Sequence, residues 1–339
     1  MFKINIGIIG ASGYTASELL RIINNHPKIN IEFLVGNNKA GKEAKTIYPH
    51  LKFTKLPSIS SLNEISFNKV ELVFLCLPHG ESAKIVNLIP DHIKIIDLSA
   101  DFRINDKNLY AEFYAEDKNS KYDKEVAYGL TEIYASKIKE KRIIACPGCY
   151  PTSILLPLIP LVRNNKISKK EIIIDSKTGI SGAGRKLVEN NLYCEINENS
   201  FTYNPNKHRH IAELLEQLNI TINNIQFTPQ IIPLSRGIIS NIYVESKLSA
   251  KELNNFLADF YAKSAFILCN DGEIPKLRNV TATNFCEIAI LDTNIKHKKL
   301  IISVLDNLTK GSSGQAIQNF NLIYGFAENL GLTNLATYP

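Results

Sequence analysis

The chain is poor in cysteine. Six in 339 residues, at positions 76, 146, 149, 194, 269 and 286, are too sparse for a disulfide scaffold. Cys76 falls inside the apolar run 70–77, where a reduced thiol packs as a small hydrophobe. Long apolar runs are also missing. A membrane helix needs roughly 20 consecutive apolar residues, and the best stretch, 154–162, is short and interrupted by Pro157 and Pro160. No charged segment, apolar core and cleavage site of a secretory leader opens the sequence. The expectation is a soluble, cytoplasmic protein with no membrane partner. Charge of one sign is not in large excess: 39 Lys+Arg against 33 Asp+Glu leave a formal +6. The basic residues are scattered, whereas a nucleic-acid reader concentrates them on one face. No internal repeat or low-complexity linker is visible. What is left is ordinary globular composition, 45% hydrophobic and 21% charged, which excludes wholesale disorder. At roughly 100–200 residues per domain, the length predicts two domains.

The first half alternates short apolar runs with helical patterns, the signature of βαβ units on a parallel sheet. Strands are expected at 4–9, 29–35, 70–77, 93–98 and 142–146. Thr15-x-x-Glu18 has the form of a capping box ahead of a first helix, a second helix is expected at 80–88, and 150–162 reads as a helix or two broken pieces of one. After residue 171 the pattern changes to strand candidates at 172–175, 226–232, 238–247, 285–292 and 300–305, with fewer helices between them. That is an α+β pattern with a mixed or antiparallel sheet. A helix at 249–262 takes Ser249 as N-cap. A last helix, about 315–329, lines up Ala316, Phe320, Ile323, Tyr324 and Ala327. The fold class is therefore α/β, a Rossmann-type domain at 1–148 followed by an α+β domain at 149–313.

Gly7, Gly10 and Gly13 sit between the first strand and the first helix, where glycines permit a tight turn and let phosphate oxygens approach backbone N–H groups. A purely structural βα turn is the alternative. After the second strand, Gly36-Asn37-Asn38-Lys39 lacks the acidic residue that holds a ribose 2′-hydroxyl. With Lys39 and Lys42 nearby, NADP is favoured over NAD. Cys146-Pro147-Gly148-Cys149-Tyr150 lies where a strand gives way to a helix, and a helix N-terminus stabilises a thiolate there. Such a thiolate is a strong nucleophile towards an acyl carbon; an inert turn cysteine and a redox pair are the competing readings. His208-Arg209-His210 with Glu213 would supply a proton shuttle and an anion clamp, or simply a solvated helix start. No metal is expected, because a second C-x-x-C is missing and i, i+2 histidines do not share a helical face. The glycine-rich loop 175–185, with Arg185, suits phosphate or is a plain flexible loop. Residues 310–315 carry the same ambiguity.

Together these segments resemble N-acetyl-gamma-glutamyl-phosphate reductases, NADP-dependent enzymes of arginine biosynthesis. The resemblance runs through Gly10-Ala11-Ser12-Gly13-Tyr14-Thr15, Tyr48-Pro49-His50-Leu51, Leu77-Pro78-His79-Gly80, Ser99-Ala100-Asp101-Phe102-Arg103 and Tyr128-Gly129-Leu130. It continues through Pro147-Gly148-Cys149-Tyr150-Pro151-Thr152, Ser181-Gly182-Ala183-Gly184-Arg185, His208-Arg209-His210 and Gly314-Gln315-Ala316. It implies an NADP-binding domain completed by a C-terminal helix in 314–339, and a catalytic domain that also makes oligomer contacts, in a dimer or tetramer. Cys149 would be the nucleophile, His210 or alternatively His208 the proton carrier, and Glu213 the group that orients it. The implied cofactor contacts are Gly10, Ala11, Ser12, Gly13, Tyr14, Thr15, Asn37, Asn38, Lys39, Pro78, Ser181, Gly182 and Gln315. Arg103, Arg185 and Arg209 are the candidates for the phosphate and carboxylate of a small acyl phosphate.

The sequence departs from that pattern at Cys146, where the family has Asn, at Ala16 for Gly, and at 36–38 near the end of the second strand. Cys146 is three residues from Cys149, the spacing of a redox-active pair. Two other functions are carried: a related reductase of a carrier-protein-linked aminoadipyl or glutamyl phosphate in lysine or ornithine synthesis, and a catalytically silent NADP-binding regulator. Aspartate-semialdehyde dehydrogenase shares the chemistry but lacks the Cys-Tyr-Pro-Thr and His-Arg-His pairing.

Overall fold

The computed structural model describes residues 2–114, 118, 121–270 and 272–337, with Asn37 described by its backbone alone. The C-terminal residues 338 and 339, included in the expected domain, lie outside the described residues. The chain divides into two compact units. The first comprises Met1–Arg103, Asn119–Pro147 and Ser312–Thr333, and the second Ile104–Lys118, Gly148–Gly311 and Asn334–Pro339. Among the described residues no helix is long and apolar enough to cross a membrane.

In the first unit, β1 (Ile4–Ile9), β2 (Ile29–Val35), β3 (Ile59–Ser60), β4 (Leu72–Leu75), β5 (Lys94–Asp97), β6 (Val126–Tyr128) and β7 (Ile143–Ala145) form one sheet in the order β3-β2-β1-β4-β5-β7-β6. Every pairing is parallel. β4 and β7 are continuous buried apolar runs, as in a parallel sheet covered on both faces. Ile9, Val35, Val73, Leu75, Ile95 and Ile143 accordingly pack into one buried cluster. β3 and β6 are absent from the sequence expectation; at two and three residues they carry no usable periodicity. The strand order reverses between β1 and β4, the switch point beside which ligands bind in open parallel sheets. Gly10 stands there with φ +89°, and a Cβ on it would lie 2.4 Å from the carbonyl oxygen of Cys76. Only glycine fits.

The helix expected at 80–88 spans only Ser82–Val86, and two other helix boundaries differ from expectation for a visible reason. The first helix is Tyr14–Ile23 with Gly13 as N-cap, so Thr15 and Glu18 form no capping box. Glu18 instead takes a fork from Arg21, Nε to Oε2 at 3.0 Å and Nη2 to Oε1 at 2.7 Å. The last helix is Gly314–Ile323, ending short of 329 because Gly325 adopts a left-handed φ of +69°, the usual stop signal. Its buried face is locked by a polar seam. Gln315 Nε2 donates to Thr131 Oγ1, and Thr131 Oγ1 donates to Asn319 Oδ1 at 2.7 Å. Asn319 Nδ2 donates to the Gly129 carbonyl at 2.9 Å and reaches Cys146 Sγ at 3.7 Å.

In the second unit, β8 (Ile172–Gly179), β9 (Phe201–Thr202), β10 (Ile225–Ile232), β11 (Ile238–Glu245), β12 (Ile267–Cys269), β13 (Cys286–Asp292) and β14 (Lys298–Leu305) form a second sheet, ordered β12-β13-β14-β11-β8-β10-β9. It is mixed: β8–β10 and β12–β13 are parallel, the others antiparallel. The short β9 and β12 escape the sequence reading. Ser249 caps the helix Ala250–Phe260 in a reciprocal box with Glu252, as expected. The stretch read as a helix or two pieces is one helix, Cys149–Arg163, despite Pro157 and Pro160. Proline removes the hydrogen bond to the carbonyl four residues back. For Pro160 that carbonyl belongs to Leu156, and the Tyr261 hydroxyl donates to it at 2.5 Å. The helix is fastened to the sheet through hydroxyls, since Ser153 and Ser176 each lie 2.7 Å from Ser240 Oγ.

Candidate active site

Cys149 is the first residue of the helix Cys149–Arg163 and is half-buried. No side chain caps that terminus, and the positive end of the helix dipole there favours negative charge on the thiol. Gly148, the N-cap, donates its N–H to Glu213 Oε2 at 3.0 Å. Glu213 is completely buried, and its Oε1 lies 3.9 Å from His210 Nε2. One carboxylate thus spans the turn that carries the thiol and the imidazole beside it. The approach is close: a Cβ on Gly148 would stand 2.4 Å from His210 Nε2.

His210 opens the helix His210–Leu218, which places Glu213 one turn on and on the same side. His208 Nδ1 accepts from the backbone N–H of His210 at 3.2 Å, so that nitrogen carries a lone pair and the ring proton is assigned to Nε2. Burial, reinforced by the Arg209 guanidinium, pushes the His208 pKa down to about 4. His208 is therefore neutral at neutral pH. It sits in an aromatic box, with ring centroids 5.7 Å from Tyr150, 5.4 Å from Tyr203 and 5.6 Å from Phe227. Tyr150 also meets the His210 ring edge-on at 6.0 Å and donates its hydroxyl to the Gln230 carbonyl at 3.0 Å. The sequence reading quoted Tyr150 within its motif but gave it no task. Burial first, then Tyr203, pushes its phenol upward, so it stays a neutral donor.

The second unit therefore brings Cys149, His208, His210 and Glu213 together. Arg185 and Arg209 are exposed in the same unit. Ser181 and Gly182 lie in the short helical turn after β8, where Ser181 Oγ accepts from Asn307 Nδ2 at 2.9 Å. Gly311, in the glycine-rich stretch 310–315, packs on Cys149: a Cβ there would lie 2.8 Å from Cys149 Cβ. No local pattern reveals that contact, made across more than 160 residues.

The remaining candidates belong to the first unit. Gly10 and Ala11 both donate to the Val35 carbonyl, at 2.9 and 2.8 Å. The Tyr48 hydroxyl clasps the loop from outside, donating to the Gly13 carbonyl at 2.8 Å and to that of Ala11 at 3.3 Å. Ser12 bonds back to the Gly10 carbonyl, while Tyr14 and Thr15 form the first turn of a helix that no side chain caps. That uncapped terminus at the switch point has the chemistry a dinucleotide pyrophosphate needs, and the residues present fit one. Asn37–Lys39 form a short turn after β2, and Pro78 lies just past β4. The side chains of Asn38, Lys39 and Pro78 are exposed. Gln315 is buried in the seam with Thr131. Arg103 is buried, donating Nη2 to the Leu98 carbonyl at 3.1 Å. Cys146 is buried too, its thiol pushed up to about 12, chiefly by burial. Among the described residues no cluster of His, Cys, Asp and Glu suits a metal.

Residues 5–141 match the family model described as semialdehyde dehydrogenase, NAD binding domain, and residues 149–307 that described as semialdehyde dehydrogenase, dimerisation domain. The chain is 41% identical to the probable chloroplastic N-acetyl-gamma-glutamyl-phosphate reductase of Arabidopsis thaliana, over 99% of this chain and 86% of that protein. It is 40% identical to the N-acetyl-gamma-glutamyl-phosphate reductase of Ehrlichia canis, over 98% of this chain and 99% of that protein. The figure for the Rhodospirillum rubrum reductase is 38%, over 99% of both chains. Among solved structures, aspartate semialdehyde dehydrogenase II of Vibrio cholerae matches with a TM-score of 0.74 at 17% identity, covering 96% of this chain and 99% of that one. The Candida albicans aspartate semialdehyde dehydrogenase gives 0.66 at 16%, covering 97% and 99%. Those two likenesses concern the fold alone.

Proposed function

The chain belongs to the family of N-acetyl-gamma-glutamyl-phosphate reductases, and from that premise we propose a reduction of N-acetyl-glutamyl 5-phosphate to the 5-semialdehyde and phosphate, routed through a thioester on Cys149. The enzyme is an oxidoreductase of arginine biosynthesis with a nicotinamide-dinucleotide-binding domain. The relatives named above favour neither a carrier-linked substrate nor a silent regulator.

In this reading the Cys149 thiolate, held by the uncapped helix N-terminus, attacks the acyl carbon. The bond to the phosphate oxygen breaks, and phosphate leaves with its electron pair. NADPH, when bound, supplies a hydride. As the thioester is reduced, His210 gives a proton to its oxygen. The resulting thiohemiacetal gives the proton back as the C–S bond breaks, releasing the aldehyde and the thiolate. His210 carries the proton because His208 is held neutral, with Nδ1 already occupied as an acceptor. Glu213 orients the imidazole. Arg103, Arg185 and Arg209 take the substrate's phosphate and carboxylate. NADP is preferred over NAD, with Lys39 at the 2′-phosphate. The protein works in the cytoplasm as a homo-oligomer, dimer or tetramer, which the match to a dimerisation domain supports.

The observation that carries the reading is the buried Glu213 carboxylate shared between the Gly148 N–H, one residue before the thiol, and the His210 ring. Purified protein should reduce NADP in the presence of the free semialdehyde and inorganic phosphate, and not without phosphate. Cys149→Ser should keep the fold and NADPH binding yet lose nearly all turnover, because a serine hydroxyl without an activating base is a poor nucleophile. Substantial activity in that variant would end the thioester route.

A further inference from the structure

Asp306 follows β14 and is completely buried. Its Oδ2 accepts from Arg236 Nε at 2.6 Å and from the Ala282 N–H at 2.7 Å. Its Oδ1 accepts from Arg236 Nη2 at 2.9 Å and from the N–H groups of Leu308 and Thr309 at 2.9 and 3.1 Å. Arg236 Nη2 also donates to Thr309 Oγ1 at 2.9 Å. An ionised carboxylate offers about four lone-pair sites, so these donors saturate it and leave nothing for a substrate. The neighbouring Asn307 ties down the surroundings. It accepts from the Gly237 N–H at 2.7 Å and donates to Ser181 Oγ at 2.9 Å.

The main chain of Asp306 has a second task. Its carbonyl accepts from the Gly311 N–H at 2.9 Å, a bond across five residues that leads into the π-helical turn Thr309–Ser313. Such turns are rare and frequently mark functional sites. This one presses Gly311 onto the nucleophile, where a Cβ would come within 2.8 Å of Cys149 Cβ and 3.2 Å of its Cα.

We propose that the Arg236–Asp306 pair is a positioning device for Cys149: it fixes the π turn, and the turn's Gly311 forms the wall that sets where the thiol stands. The proposal rests on the reading of Cys149 as nucleophile. The arginine fork matters because two parallel N–H groups define an orientation as well as a charge. A loosened turn lets the thiol drift, and a misplacement of about 1 Å costs on the order of a hundredfold in rate.

The test compares Arg236→Met with Gly311→Ala in the full-length protein. Two quantities are followed: steady-state constants, and the rate at which iodoacetamide alkylates Cys149, read from its peptide by mass spectrometry. Both variants should lose between about tenfold and a hundredfold in kcat, with KM for the semialdehyde changed by less than about threefold and a clearly altered alkylation rate. An unchanged kcat and alkylation rate in folded Arg236→Met would overturn the proposal. So would a raised KM at unchanged kcat, which would make Arg236 a substrate ligand. If Arg236→Met does not fold, Gly311→Ala decides alone, since it leaves the ion pair intact and moves only the wall. Alkylation needs no substrate, so a failure here is distinct from a failure of the thioester route, which the Cys149→Ser assay reports.

Discussion

Gly148→Ala isolates the geometry of the candidate proton carrier. The residue has φ −64° and ψ 154°, an ordinary extended conformation for alanine, so the substitution introduces no backbone strain. Its methyl group would stand 2.4 Å from His210 Nε2, 2.7 Å from Cδ2 and 2.8 Å from Cε1. Ordinary contact begins near 3.4 Å, which leaves the ring about 1 Å to yield. It has little room, because it is buried with the His208 ring centred 4.6 Å away and Tyr150 at 6.0 Å. Overpacking of this kind costs about 1–3 kcal/mol of stability, which a chain of this size should tolerate. A shift of about 1 Å in a catalytic group costs on the order of a hundredfold in rate, equivalent to about 2.7 kcal/mol of barrier. Because the damage passes through the imidazole, it is bounded by the loss in His210→Asn, typically 10²–10⁴-fold for a proton carrier. The assay is phosphate-dependent NADP reduction by the semialdehyde, run on both single variants and on the double variant. In the His210→Asn background, where the ring is gone, the added methyl should cost less than about twofold. Independent, multiplying losses would refute the reasoning, for they would mean that Gly148 acts on the thiol or the backbone instead of the histidine.

Other expectations follow from single residues. The kcat/KM with NADPH should exceed that with NADH by an order of magnitude or more, and Lys39→Glu should narrow the gap; equal values in the unaltered protein would contradict the cofactor reading. His208 is held neutral with a pKa near 4 against 6.5 in the unfolded chain, chiefly by burial, so between those values the unfolded state binds more protons. Stability is then complete above about pH 6.5 and falls as the pH drops towards 4, by up to about 3 kcal/mol. Urea midpoints across that range should fall less steeply in His208→Asn, and parallel slopes would discount the burial. The Cys146 thiol, pushed up to about 12, is a poor partner for thiol exchange. Peroxide followed by dithiothreitol should restore native protein and Cys146→Ala equally, and better recovery of the native protein would revive the redox pair.

The sequence exposes what local chemistry writes. β1 and β2 lie at the expected residues because each is an apolar-rich run bounded by glycine or a polar turn, and each ends in consecutive buried residues. Cys149 and the His208–Glu213 cluster are visible because two short segments hold them. Long-range contacts leave no such mark. The two prolines leave one helix or two broken pieces open, and Tyr261, 105 residues from Leu156, supplies what Pro160 removes. The Thr15–Glu18 box had the right letters, but Arg21 offered Glu18 a stronger partner. Arg236 and Asp306 are 70 positions apart, and nothing near either one announces the other.

The polar seam that seats the last helix has a consequence for how the chain is made. The first unit's strands end at Ala145, yet Ala316, Ile317 and Phe320, which fill its core, belong to the segment beginning at Ser312. At a synthesis rate of about 5–20 residues per second, that helix emerges from the ribosome roughly 8 to 33 seconds after the rest of its unit. Throughout that interval Thr131, Gly129 and Cys146 lack their partner Asn319, and the apolar bed beneath Phe320 faces water. The unit that begins first thus waits for a helix made after nearly all of the second, and its core lacks that cover over a defined stretch of synthesis.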